Sequence, residues 1–215
     1  MQNIFIKMVQ QYFEFLLKDF EFTLISAIDS PRGENWEGNV QYVSKTTYIE
    51  ISSTRGENPS LWIGRTKDKE KHLLPMQIIY EYMNLSDNEK KIVLSVSEGK
   101  QASSILSKKQ LLYQVPTLDS IEERKKLQIE IYARSLRQSG LSFLVGDFSQ
   151  WLEIWEYHFT KLTVENTRAG RSEFVPIVVN DENGKLKIIG KQYLFEKTIT
   201  YIAELKKEQG DLLDT

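Results

Sequence analysis

Hydrophobic and polar positions alternate between two periods along the chain, and the change of period divides it. Over residues 3–19 the period is helical: Asn3, Lys7, Gln10, Gln11, Glu14 and Lys18 make one narrow polar ridge. Phe5, Met8, Val9, Tyr12, Phe13, Phe15 and Leu16 cover the broad opposite side, as in a core helix covered on most of its circumference. A strand-like stretch follows. Phe22–Ile28 is apolar and partly β-branched, and Val40–Val43 and Thr47–Ile51 alternate on either side of a Ser44-Lys45-Thr46 corner. Residues 29–39 and 54–59 are dense in turn formers, and Leu61–Gly64 reads as a further short strand. The pattern predicts an antiparallel meander of three or four strands with the first helix over one face.

After the charged loop Arg65–Lys71 the pattern turns helical. Pro75 suits the first turn of a helix through Tyr82. Ser86 and Glu89, and again Ser120 and Glu123, have capping-box spacing before apolar runs. Residues 103–113 predict a short helix, and 120–138 a long one ended by Gly140, with Leu118, Ile121, Ile129, Tyr132 and Leu136 as its stripe. Asp147, with Gln150 three residues on, reads as the cap of a helix striped by Phe148, Trp151, Leu152, Trp155, Phe159 and Leu162. Phe174–Val179 and Leu186–Ile189 flank Asp181-Glu-Asn-Gly184, a hairpin signal, and residues 191–207 close the chain as a helix before a polar tail. The expected fold class is α+β: an N-terminal helix on the sheet, then a helical bundle, then a β-hairpin and helix. No Pro/Gly/Ser linker interrupts it, so residues 1–165 read as one domain with 166–215 as an extension packed on it.

Composition narrows the classes without choosing one. A chain of 215 residues with 40% hydrophobic and 27% charged residues is ordinary for a globular protein and needs no metal or disulfide to fold. The absence of cysteine removes thiol nucleophiles, thiolate metal sites and redox pairs, and fits a reducing compartment. The N-terminus has Lys7 inside its apolar stretch and no small-residue cleavage site, and no run approaches the ~18 uncharged apolar residues of a membrane span. A cytoplasmic protein with no membrane partner is the expectation. The net charge of −2 argues against a dedicated nucleic-acid binder, but its distribution is uneven. Residues 1–64 carry 5 basic and 8 acidic side chains, while residues 86–145 carry 10 and 7.

Chemical motifs are hard to find. His72 has no carboxylate or histidine at ligand spacing, and the positions four residues either side of His158 are Ile154 and Leu162. There is no Gly-x-Ser-x-Gly elbow and no glycine-rich phosphate loop, and Asp181 with Lys185 and Lys187 only approaches a nuclease pattern. No catalytic residue, metal or cofactor is assigned, and carboxylate-only chemistry stays open. What remains is surface. The tetrapeptide Arg-Gly-Glu-Asn occurs at residues 32–35 and again at 55–58, both in loops at strand ends. Turn chemistry explains the repeat; clustering of the two loops at one sheet end would make a recognition surface. With Trp36 as an interface anchor, the candidate partner-binding residues are Arg32, Glu34, Trp36, Glu37, Arg55 and Glu57. Tyr157 joins them because it projects from the side of its helix opposite Phe148.

Several segments share a further likeness. Tyr12–Phe22, Val40–Ser44, Thr47–Ile51, Leu61–Arg65, Tyr132–Arg137 and Phe143–Ser149 resemble a group of small uncharacterised bacterial proteins over roughly the first 160 residues. Those proteins are similar to the immunity proteins that bacteria carry against polymorphic toxins. The resemblance implies a cytoplasmic α+β protein that neutralises a toxin by direct binding, in the manner of an antitoxin. Its motifs are packing and capping motifs, and the chain departs from the group through its extension after Asn166. The leading expectation is therefore a non-enzymatic protein-binding module whose acidic regions steer a basic partner. The alternative is a nucleic-acid-associated regulatory factor using the basic helices of residues 86–145. A homo-oligomer is compatible with either.

Overall fold

A computed structural model describes residues 3–29, 36–54, 57–68, 72–94, 104–106, 120–168, 177–180, 186–189 and 192–213. The protein is mixed α+β with an antiparallel sheet of five strands in sequential order. These are β1 (Thr23–Asp29), β2 (Gly38–Val43), β3 (Thr47–Ser53), β4 (Ser60–Arg65) and the two-residue β5 (Leu74–Pro75). The alternation seen in the sequence becomes the two faces of this sheet. Val40, Ile51 and Leu61 stand in register on the buried face, and Gln41, Glu50 and Trp62 on the other. The Ser44–Thr46 corner closes as expected, with the Ser44 amide on the Thr47 carbonyl at 2.8 Å and the Thr47 amide on the Ser44 hydroxyl at 3.0 Å.

The first helical segment is two helices. α1 (Ile4–Tyr12) and α2 (Glu14–Asp19) meet at Phe13, whose φ of −104° and ψ of 12° leave the helical well. The Leu16 amide then bonds to the Phe13 carbonyl at 3.0 Å, a tightened turn that keeps Phe13, Phe15 and Leu16 all buried. Asn3 is no part of a polar ridge. It caps α1, accepting from the Ile6 amide at 3.2 Å and donating to the Glu37 carbonyl at 2.8 Å, and is buried.

The later elements are α3 (Met76–Met83), α4 (Asp87–Leu94), α5 (Ile121–Ser139), α6 (Leu141–Leu144), α7 (Trp151–Arg168), the strand pair β6 (Ile177–Asn180) and β7 (Leu186–Ile189), and α8 (Gln192–Leu213). Pro75 is the N-cap of α3. The Ser86–Glu89 capping box is complete, with Glu89 Oε2 accepting from the Ser86 amide at 2.8 Å and the Glu89 amide donating to Ser86 Oγ at 3.3 Å. Ser120 caps α5 through the Glu123 amide at 3.3 Å. Ile121, expected on the α5 stripe, is 38% exposed, while Ile129 and Leu136 are fully buried. α8 runs on through the expected polar tail, because Gly210 alone is too weak a breaker, at about 1 kcal/mol, to stop it. The expected helix over residues 103–113 lies outside the described residues except for 104–106.

Asp147 does not cap α7. Gly146, at φ +82°, ends α6 in the left-handed region, with its amide on the Phe143 carbonyl at 3.1 Å and the Asp147 amide on the Ser142 carbonyl at 2.8 Å. Asp147 thus closes the helix before it, and α7 starts only at Trp151.

Contacts group the chain into two compact units. One comprises Met1–Asn84 with Gln110–Phe148 and holds the five-stranded sheet. The other comprises Leu85–Lys109 with Ser149–Thr215. The grouping is interleaved along the chain.

Candidate functional site

The end of the sheet that carries the β1–β2 and β3–β4 connections is built around one cation. Lys125 lies on α5 at i, i+4, i+7 and i+11 with Ile129, Tyr132 and Leu136, so its stem runs along the buried stripe. The residue is 2% exposed. Its Nζ donates to the Trp36 carbonyl at 3.0 Å and to the Thr54 carbonyl at 3.1 Å. One ammonium therefore ties the end of the first connection to the start of the second. A buried charge in this position needs such acceptors, and hydrogen bonds to a charged donor contribute roughly 1.5–3 kcal/mol each.

Three further bonds fasten the same backbone. Ser53 Oγ donates to the Trp36 carbonyl at 2.8 Å, Tyr132 Oη to the Pro59 carbonyl at 2.8 Å, and Asn3 Nδ2 to the Glu37 carbonyl at 2.8 Å. Burial pushes the Tyr132 phenol above its ordinary value, so it stays a neutral donor. Helix α5 thus fixes both connections, and the Asn3 cap of α1 fixes the first.

The candidate residues divide accordingly. Arg32, Glu34 and Arg55 lie outside the described residues. Trp36 is half-buried and reaches the site through its carbonyl. Glu37 is 8% exposed and belongs more to the packing than to the surface. Glu57 is exposed, with its carboxylate accepting from Thr54 Oγ1 at 2.7 Å. Tyr157 does not belong with them. It is fully buried on a helix against which α4 and α8 both pack. Ile154, Tyr157 and Lys161 form a second covered stripe that a single-stripe reading of α7 misses. Lys125 was hidden by its place in the Arg124-Lys-Lys126 run; its spacing from Ile129 and Tyr132 was the signal that could have found it.

The open face of the sheet carries a second polar arrangement. Glu50 accepts from Asn39 Nδ2 at 2.9 Å on one oxygen, and from Gln41 Nε2 at 3.3 Å and Tyr48 Oη at 3.0 Å on the other. Burial, then the hydrogen bond to Glu50, pushes the Tyr48 phenol up. Beside it Ser60 Oγ receives the Trp62 indole N–H at 3.1 Å and lies 2.9 Å from Ser52 Oγ. The Asn39, Gln41 and Ser52 bonds cross between strands, while Tyr48–Glu50 and Trp62–Ser60 join residues two apart on one strand.

In the second unit His158 stacks edge-on against Trp155 at 5.8 Å, and Trp151 Nε1 donates to Tyr201 Oη at 3.0 Å. Burial, with the nearby Lys161 charge, lowers the His158 imidazole to about 4, so it is neutral at physiological pH. Among the described residues no three His, Asp or Glu side chains are grouped to hold a metal ion, and no helix is long and apolar enough to cross a membrane.

No family model, curated protein or solved structure matches the chain.

Proposed function

We propose that the protein is a non-enzymatic protein-binding module of the immunity or antitoxin kind, which engages a basic partner protein with the loops at the Lys125 end of its sheet. The observation that carries this reading is the Lys125 ammonium holding Trp36 and Thr54 together. It fixes the bases of two connections whose sequences both contain Arg-Gly-Glu-Asn, which supports reading the two as one recognition surface. Charge supports the kind of partner. Among the described residues the first unit exposes Glu14, Asp19, Glu21, Asp29, Glu57, Glu122, Glu123, Glu130 and Asp147, against Lys7, Lys18, Lys45, Lys67, Lys126, Arg134 and Arg137, a small acidic excess. Such an imbalance steers a basic surface and weakens with salt.

The nucleic-acid reading has less support. Of the five cations on α5, Lys125 is enclosed, and Arg137 lies over the Phe15 ring at 4.1 Å. Cations used within the fold are not offered to a phosphate backbone.

The reading is tested by purifying the tagged protein from its native host at low and moderate salt. A stoichiometric basic protein is expected. Glu57→Lys with Trp36→Ala should weaken its capture, and co-expression of the unaltered chain should suppress that protein's toxicity. Recovery of no stoichiometric protein, or retention of duplex DNA or RNA in its place, overturns the proposal.

A further inference from the structure

One carboxylate organises the open face of the five-stranded sheet. Register sets Gln41, Glu50 and Trp62 side by side on β2, β3 and β4, with Asn39, Ser52 and Ser60 in the next row. Asn39, Gln41, Glu50 and Trp62 are each half-buried, so the group is sheltered and still meets solvent. An ionised carboxylate only accepts, so Asn39 and Gln41 both turn their NH2 groups to Glu50, at 2.9 and 3.3 Å, and their own oxygens away from it. Tyr48 Oη spends its proton on the same carboxylate, and Ser60 Oγ takes the Trp62 indole N–H. Donors are mostly turned inward, and acceptors are left over. Asn39 Oδ1 has no donor among the described residues, and neutral groups fill three of the roughly four acceptor sites of Glu50. None of the three cancels its charge. Arg65 is the one cation in the described strands of this sheet; its register partner is Thr47, on the other face, and it pairs with Asp68.

We infer that this face receives an arginine side chain of a partner protein, whose guanidinium donates to Glu50 and lies over the Trp62 ring. The inference rests on the proposed reading of a basic partner and names the residue that partner would use. The Glu50 charge repels a phosphate-bearing ligand, and a neutral sugar stacked on Trp62 would leave the carboxylate uncompensated. Between the two cationic side chains the donor shortage and the ring decide. A guanidinium is planar, weakly hydrated and rich in donors, and it stacks on indole, whereas an ammonium is strongly hydrated. Position agrees with this. Asn39 follows Trp36 by three residues and Ser52 precedes Thr54 by two, so the face adjoins the loop bases that Lys125 holds.

NMR titration of the full chain with N-acetyl-arginine amide tests the site apart from any partner. The Gln41 side-chain amide and Trp62 indole N–H resonances should shift, with a dissociation constant on the order of 1 mM. The uncharged isostere N-acetyl-citrulline amide and methyl glucoside should leave both in place, and N-acetyl-lysine amide should bind about threefold more weakly or worse. Glu50→Gln should weaken arginine binding roughly tenfold or more, read on the Trp62 indole, and Trp62→Leu about threefold, read on Gln41. Glu204→Gln, at an exposed position on α8, leaves it unchanged. Absence of a shift with arginine, an equal response to citrulline or lysine, or undiminished binding in Glu50→Gln and Trp62→Leu overturns the inference. The underlying reading fails separately. A partner captured equally by the unaltered chain and by Glu50→Gln, with no arginine binding, removes this site and leaves the partner. Arginine binding that Glu50→Gln abolishes, with no protein recovered from the host, removes the partner and leaves the site.

Discussion

Gly146 shows how much a single position can decide. At φ +82° it occupies a conformation that other L-residues adopt only at about 1–2 kcal/mol, and a Cβ there would lie 2.7 Å from Thr46 Oγ1. The corner it forms also meets the β2–β3 turn, where Thr47 Oγ1 donates to the Phe143 carbonyl. Gly146→Ala should therefore lower unfolding stability in urea by about 2 kcal/mol or more. Gly210, in α8, is the opposite case, since a Cβ there would meet nothing within 4 Å. Gly210→Ala should raise stability by up to about 1 kcal/mol, less if the helix end frays. The composition alone gives these two glycines the same weight; only their surroundings give the substitutions opposite signs.

At the scale of elements, the strands and caps were legible because their signals are local. Alternation in Val40–Val43 and Thr47–Ile51, and the spacing of Ser86 with Glu89 and Ser120 with Glu123, rest on neighbours within a few residues. Other features depended on distant partners. The break at Phe13 serves the burial of three aromatic and aliphatic side chains against the first unit's core, and nothing in the apolar periodicity marks it. β5 is two residues long, too short for alternation to register, and is held by pairing of Trp62 with Pro75 and Ile63 with Leu74. Of the candidate site, the closeness of the two loop bases was legible only as a conjecture from their shared tetrapeptide. The lysine that joins them was not, since charge places a lysine outside and only two carbonyls 18 residues apart in sequence draw it in. Lys125→Met keeps the stem and removes the donor. It should destabilise the protein by about 1–3 kcal/mol and increase proteolytic cutting in both connections together, as followed by mass spectrometry. Cutting confined to one connection would separate the two loops' fates and count against a shared clamp.

For the molecule as a whole, acid should act first where the neutral imidazole is packed. His158 in the folded protein titrates at about 4, below its ordinary value of 6.5. The unfolded chain therefore binds a proton that the folded chain refuses between those values. Stability from this group is complete above pH 6.5 and is lost as pH falls toward 4. About 2 kcal/mol should disappear between pH 7 and pH 5, and His158→Gln should flatten the profile over that window. The tryptophans separate the two units, with Trp36 and Trp62 in one and Trp151 and Trp155 in the other. Fluorescence of Trp151 and Trp155 should report the acid transition that a histidine in the second unit controls.

The enclosed ammonium of Lys125 has a practical corollary. Amine-acylating reagents modify exposed lysines quickly, whereas this nitrogen can be reached only when the backbone it holds comes away. Its acylation rate, read peptide by peptide against that of exposed Lys126 next to it, is thus an intrinsic gauge of how often the two loops release. A protein bound across those loops would slow that labelling without touching the lysine at all.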